Sequence, residues 1–418
     1  MEIKSALNKL FALHTFGIKL GLDNIKGFLN HIGNPQDRLK IFHVAGSNGK
    51  GSTTSFLASI LIEHGYKTGI YTSPHFVRFN ERIKIGRNEI PDDYTAEFIT
   101  KYDSYIDEHK LTFFEVTTAL AFLYFSENNV DYAVIETGLG GRLDATNVVN
   151  SLAAIITSIS LEHTNILGTT IEQIAYEKAE IIKSNSYAFA GLLNETALKT
   201  IEEKCRVVGT DLFMLKNFFD EKTNIFKFKE IKIDFNAKNL PLKGEHQKFN
   251  ACLAIMAARL IIPNMDLVKV NNGLMNVISN TDFSGRYEYY NTKPDIIFDS
   301  AHNPEGVRSF IQEFKKEYKK YNASYLLFSA LKDKNIKEML ETLKPYFDNI
   351  YFVELELDRA MLIDDLINIG TDLGLNFQPV NNATEFVKDF IQSDPDSCLV
   401  VLGSMYLVGE IKKELENK

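Results

Sequence analysis

The stretch His43–Thr54, HVAGSNGKGSTT, decides how the chain is read. It follows Lys40–Ala45, whose apolar members Ile41, Phe42, Val44 and Ala45 suit a buried strand. It precedes Ser55–His64, where Phe56, Leu57, Ile60 and Leu61 recur at helical spacing. Strand, glycine turn and helix, in that order, aim backbone N–H groups and the positive end of a helix at a phosphate. Gly46, Gly49 and Gly51 let the main chain approach phosphate oxygens, Lys50 supplies a mobile charge, and Ser52 or Thr53 can reach a nucleotide-bound metal. A nucleoside triphosphate is the expected ligand. The strict phosphate-loop spacing is not met, because Val44 stands where it wants a glycine and Gly51 where it wants a hydroxyl; a plain glycine turn is the competing reading.

Other strand ends offer matching chemistry. Lys67–Thr72 reads as a strand ending in Ser73-Pro74-His75, which leaves Ser73 where α/β proteins place ligand groups, a capping serine being the competing reading. Tyr132–Ile135 is a strand ending in Glu136-Thr137-Gly138-Leu139-Gly140-Gly141-Arg142-Leu143-Asp144-Ala145. A carboxylate at such a position can hold Mg²⁺ directly or through water. A third strand, Ala153–Ile159, leads to Glu162-His163. His163 alone reads as structural, but with Ser73 and Glu136 it forms a set suited to a divalent ion. Thr112–Phe125 is an apolar helix opened by Thr112, Phe113, Phe114 and Glu115, whose aromatics are more often core than ligand platform. A further helix, Ile171–Ser184, carries Lys178 among carboxylates, where a surface ion pair is the plain reading.

Length and composition bound the rest. At 418 residues two or three domains are expected, and 45% hydrophobic with 24% charged residues is ordinary for a globular chain. Cys205, Cys252 and Cys398 lie far apart without a CxxC, so neither a disulfide framework nor a zinc cluster is expected, and a reducing cytoplasm fits. A net charge of −9 with no basic run argues against nucleic acid, and no stretch reaches the ~18 apolar residues of a membrane span. A soluble monomer is expected.

Residues 1–39 read as helix, glycine-bearing loop (FGIKLGLDN), helix and the turn GNPQD, too short for a separate domain before the phosphate loop. Residues 187–240 alternate short strands with charged turns, as in FKFKEIKIDF, suggesting a small antiparallel sheet. A boundary is expected near Asn280–Arg286, dividing the chain into 1–282 and 287–418. From Tyr287, strands ending in DSAHNPEG and ALKDKN, then IYFVELE, LNFQPV and CLVVLGSMYLVGE, alternate with helices, which argues a parallel or mixed sheet wrapped in helices.

Taken in order from about Gly17 to the C-terminus, GSNGKGS, TSPHF with NERI, ETGLGGRLDATN, EHTNILG, EKAEIIK, GEHQ with Asn250-Ala251, SGR, DSAHNP and LKDKN resemble the dihydrofolate synthase/folylpolyglutamate synthase family of Mur-type ligases. The resemblance implies an α/β fold: a P-loop ATPase domain of Mur-ligase type with a small accessory β-sheet, then a Rossmann-like α/β C-terminal domain. It implies that Asn48, Gly49, Lys50 and Gly51 hold the ATP phosphates with Ser52 beside the metal. Ser73, Glu136 and His163 would bind two Mg²⁺, and Lys178 matches a lysine carbamylated in this family. By the same resemblance Asn250, Arg286 and Asp299, with His302 nearby, contact nucleotide. Thr112, Phe113, Phe114 and Glu115 and Leu143, Asp144 and Ala145 match the pterin pocket of bifunctional members. This chain departs at Ser47, Glu162, Glu180 and Ser300, where Thr, Asp, Gly and Gly are usual. Glu180 adds a carboxylate near Lys178, which would favour its ammonium over the carbamate.

The implied reaction is ATP-dependent amide formation, with Lys50, Lys178 and His163 as its catalytic side chains. A substrate carboxylate attacks the γ-phosphoryl group to give an acyl phosphate, and the amine of L-glutamate then displaces phosphate. The acceptor would be dihydropteroate, a reduced folate, or both, with the second domain closing over the first to exclude water. A monofunctional folylpolyglutamate synthase, another Mur-type amide ligase and a non-catalytic nucleotide switch are the alternatives.

Overall fold

Strand β1 (Ile41–Ala45) is buried along its whole length, as its apolar run requires of a strand covered on both faces. In the computed structural model, which describes residues 2–13, 21–237 and 239–416, β1 lies inside an eight-stranded sheet. The others are β2 (Thr68–Tyr71), β3 (Ile83–Ile85), β4 (Asn88–Glu89), β5 (Tyr132–Glu136), β6 (Ala153–Ile156), β7 (Tyr187–Ala190) and β8 (Leu212–Met214), in the order β4-β3-β2-β5-β1-β6-β7-β8. Strands β2, β5, β1, β6, β7 and β8 run parallel; β3 and β4 form an antiparallel edge. His43 pairs with Ile135 on one side and Ala154 on the other. The C-terminal ends of β2, β5, β1 and β6 therefore come out along one rim, where open α/β sheets bind ligands.

The expected accessory sheet is present as β9 (Phe219–Asp220), β10 (Ile225–Phe228) and β11 (Ile231–Asp234), antiparallel in the order β11-β10-β9. Buried and exposed residues alternate along β11, the mark of a sheet with one covered face. The first helices are Ile3–Ala12 and Asp23–His31; most of the loop expected between them, and the start of the family resemblance at Gly17, lie outside the described residues.

The chain forms two compact units. The first is Met1–Pro241 with Lys248–Phe283, the second Leu242–Gln247 with Ser284–Lys418. The short segment carrying GEHQ thus joins the second unit, a placement that a contiguous division of the chain does not contain. The second unit is built on β12 (Glu288–Asn291), β13 (Asp295–Phe298), β14 (Ser324–Phe328), β15 (Asn349–Phe352), β16 (Phe377–Pro379) and β17 (Cys398–Leu402), ordered β12-β13-β17-β14-β15-β16. All are parallel except the β12 edge. The three cysteines are free and buried. Among the described residues no helix is long and apolar enough to cross a membrane.

Candidate active site

After β1 the chain turns through Gly46–Gly49 into the helix Lys50–Glu63, whose N-cap is Gly49 at φ 85°. A Cβ at Gly46 would lie 1.9 Å from Thr157 Oγ1, and one at Gly49 2.5 Å from Asn250 Oδ1, so both positions exclude a side chain. Asn250, expected to contact nucleotide, is thus brought against the loop. The loop is braced from β6. Ser47 N–H donates to Ser158 O at 2.8 Å, Asn48 N–H to Ser158 Oγ at 2.8 Å, Thr157 Oγ1 to Asn48 O at 2.6 Å, and Ser160 N–H to Ser47 Oγ at 3.0 Å. Reading the sequence missed Thr157, Ser158 and Ser160; the available signal was a cluster of hydroxyls directly after an apolar strand.

Lys50 Nζ folds back to donate to Gly46 O (2.9 Å) and Ser47 O (3.1 Å). Lys178, on the helix Ile171–Ala179, is only 1% exposed and donates to Gly46 O (3.0 Å) and Glu162 Oε1 (2.9 Å). Two ammonium groups therefore share one carbonyl. Burial pulls the Lys178 pKa down, with Glu162 opposing and Lys50 adding to the fall. Burial acts to raise Glu162, but the charges of Lys178 and Lys50 outweigh it and hold the carboxyl at about 2. The charges of Glu162 and, more weakly, Asp144 oppose the fall at Lys178, while Glu162 itself faces the two cations Lys178 and Lys50.

Two expectations are corrected here. Lys178 is a core residue, not a surface one. The carboxylate on it is Glu162, whereas Glu180 pairs with Lys204 at 2.8 Å. The departure at position 162, rather than the one at position 180, is therefore the one in contact with Lys178.

On the other side of the loop, Ser73 N–H donates to Glu136 Oε2 at 3.1 Å, and a Cβ at Gly51 would lie 3.7 Å from that oxygen. Ser73, Glu136 and the helix turn carrying Gly51 and Ser52 therefore meet, with Ser52 and Glu136 buried. His163, at φ 47°, caps the short helix Thr164–Leu167, and its charge acts on Glu162. Of the residues expected to bind metal, Ser73 and Glu136 lie beside the helix start, while His163 follows Glu162, the partner of Lys178. Among the described residues no group of three or more His, Cys, Asp or Glu is placed to hold a metal.

The residues expected to bind pterin divide. Thr112 and Glu115 form a capping box on the helix Phe113–Glu127: Thr112 N–H and Oγ1 donate to Glu115 Oε2 (2.7 and 2.8 Å), and Glu115 N–H donates to Thr112 Oγ1 (3.3 Å). Phe113 is a core ring, stacked on Phe11 and lying under the Arg82 guanidinium 5.0 Å away. Phe114 lies over Gly138, where a Cβ would meet its ring at 2.5 Å. Asp144 is buried and organises its own loop, accepting from Leu139 N–H (2.8 Å), Thr146 N–H (3.0 Å) and Thr146 Oγ1 (2.5 Å). Of its neighbours, Ala145 is buried and Leu143 partly so.

In the second unit, Asp299 follows β13 and accepts from Tyr287 N–H and Ala301 N–H, both at 2.8 Å. Burial raises its pKa, with Arg286 the leading opposition. His302 Nδ1 lies 2.9 Å from Ser300 O. His246 of GEHQ, a residue the family resemblance leaves without a role, belongs to this cluster: burial, then the charge of Arg286, push its pKa down to about 4.

With this geometry in place, known proteins match along the chain. The Mur ligase middle domain matches residues 44–258, and the Mur ligase glutamate ligase domain residues 285–405. A Bacillus subtilis dihydrofolate synthase/folylpolyglutamate synthase is 34% identical, with 96% of each chain covered. Among solved structures, Escherichia coli FolC in complex with DHPP and ADP superposes with a TM-score of 0.87 at 30% identity, covering 100% of this chain and 98% of that one. The Yersinia pestis bifunctional folylpolyglutamate synthase/dihydrofolate synthase complexed with AMPPNP and Mn gives 0.86 at 26% identity, with 100% and 98% covered. The chain belongs to the Mur ligase family and, within it, to the dihydrofolate synthase/folylpolyglutamate synthase family.

Proposed function

We propose that the chain is an ATP-dependent ligase that adds L-glutamate to dihydropteroate, to the glutamate tail of a reduced folate, or to both. One observation carries the reading: a helix N-terminus left open by glycine, with Lys50 parked on the carbonyls of its own loop. An incoming triphosphate offers that ammonium better acceptors than two neutral carbonyls, and the loop amides supply the rest of the cradle.

The chemistry follows from there. The substrate carboxylate oxygen attacks the γ-phosphorus, the bond to ADP breaks, and an acyl phosphate results. Lys50 and the first-turn amides of the helix Lys50–Glu63 neutralise the charge that spreads over the phosphoryl oxygens. The glutamate nitrogen then attacks the acyl carbon, loses a proton, and expels inorganic phosphate. Lys178 keeps Gly46 O occupied when Lys50 leaves it, so the turn holds its shape through the reaction. Asn250 abuts the loop at Gly49, and Arg286, Asp299 and His302 are the groups the second unit offers to nucleotide.

Ser52, Ser73, Glu136 and His163 fit Mg²⁺ as donors: buried Glu136 Oε2 at a strand end is a hard anionic oxygen, and Mg²⁺ takes few protein ligands, completing its shell with phosphate and water. When bound, the ion would supply further positive charge to the triphosphate. Two such ions are proposed. The test is ADP release with ATP, Mg²⁺ and L-glutamate, comparing dihydropteroate with tetrahydrofolate as acceptor. Stimulation by both marks a bifunctional enzyme, by tetrahydrofolate alone a folylpolyglutamate synthase, and by neither refutes the reading.

A further inference from the structure

His43 lies on β1 three residues before Gly46 and is fully buried on an otherwise apolar strand. Its Nε2 is 2.8 Å from Thr146 Oγ1. Burial pushes the Asp144 pKa up, but Thr146 Oγ1–H and the N–H groups of Thr146 and Leu139 all aim donors at it and favour the carboxylate, which as an acceptor takes the one hydroxyl proton of Thr146 on Oδ1. Thr146 Oγ1 must therefore accept from His43, which fixes the tautomer with hydrogen on Nε2 and Nδ1 bare. Nδ1 indeed has no hydrogen-bond partner among the described residues. Burial, helped by the charge of Lys183, keeps the ring neutral with a pKa of about 3.

The chain of bonds continues past Asp144. Its Oδ2 accepts from Leu139 N–H, inside the glycine-rich turn that follows β5. That turn has no slack: Cβ atoms at Gly138, Gly140 and Gly141 would meet Phe114, Leu167 and the Glu177 carbonyl at 2.5, 2.8 and 2.6 Å. A displaced Asp144 has no room to be accommodated locally, so the error passes to the turn.

We propose that His43 is a positioning residue: acting through Thr146, it sets Asp144 and holds the glycine-rich turn 138–144 in place relative to the phosphate-loop strand. Its role in catalysis rests on the ligase reading, since Leu143, Asp144 and Ala145 match the pterin pocket only by the family resemblance; its role in ordering the turn does not.

Thr146→Val removes the relay with almost no change of shape, and Thr146→Ser restores it. His43→Phe and His43→Gln form the parallel pair, the glutamine amide reaching where Nε2 sits. In ligand-free protein, exchange of the Leu139 amide should speed up about tenfold in Thr146→Val and His43→Phe, and stay near wild type in the Ser and Gln variants. In the same two impaired variants the KM for acceptor should rise about tenfold, with ADP affinity unchanged. Equal exchange in Thr146→Val and wild type overturns the relay. Accelerated exchange with an unmoved acceptor KM, or an equal loss in ADP affinity, overturns the positioning role. A wild-type protein with no glutamate-dependent turnover, but with the exchange pattern intact, strikes the ligase reading and leaves the ordering of the turn standing.

Discussion

Two helices of the first unit begin at the ligand-bearing rim, and their N-termini are built in opposite ways. Phe113–Glu127 opens with a closed capping box, Thr112 and Glu115 satisfying each other's polar atoms and one another's amides. Lys50–Glu63 opens on Gly49 with no side-chain cap, and the hydrogen bonds of Lys50 go to the carbonyls of Gly46 and Ser47. Both ends carry the same helix dipole and unsatisfied amides. What separates them is whether the sequence supplies its own anion: Glu115 occupies one end, and the other is left for a phosphate. The sharpest test of that contrast is Lys50→Ala, which should lower turnover by about 10²–10³-fold while the thermal melt stays within a few degrees of wild type. Near-normal turnover would mean that the open terminus is not a phosphate site.

Beneath the open end lies a buried ion pair, Lys178 with Glu162, and it should matter for stability as well as rate. Lys178→Met strips one of two cations from buried Glu162 and should cost about 3 kcal/mol in urea unfolding, at the low end for a broken buried pair because Lys50 remains. The pH dependence has a definite sign. Glu162 is held at about 2 in the folded chain against an ordinary 4.5, so its contribution is complete above 4.5 and is lost as pH falls toward 2. The stability gap between wild type and Glu162→Gln should therefore narrow from pH 5 to pH 3, and a gap that stays constant would remove the charge from the account.

Much of this was legible beforehand for physical reasons. The strand-turn-helix at His43–Thr54 could be read because apolar periodicity and glycine placement are local properties, and the order of motifs identified the family. Less legible was what lies across the loop. Nothing in TSIS says that Thr157 and Ser158 will hold Asn48, since that bond spans 109 or 110 residues of chain. Glu180, two residues from Lys178, is the carboxylate the sequence puts beside it; the fold instead brings Glu162 to Lys178 from 16 residues away and pairs Glu180 with Lys204. His43 was passed over because a lone polar letter in an apolar strand gives no hint of its partner 103 residues on.

The smallest expected effect tests the closed end. Thr112→Ala deletes one acceptor from the Glu115 amide and one donor to the Glu115 carboxylate, so it should cost about 1 kcal/mol of stability. If Thr112 and Glu115 serve only the helix, the KM values for ATP and for either acceptor should not move, because the rings of Phe113 and Phe114 keep their packing on Phe11 and Gly138. A rise in acceptor KM larger than the stability loss explains would instead place ligand contacts at this terminus too. The two helix ends would then differ in which substrate they face, and not in whether they face one.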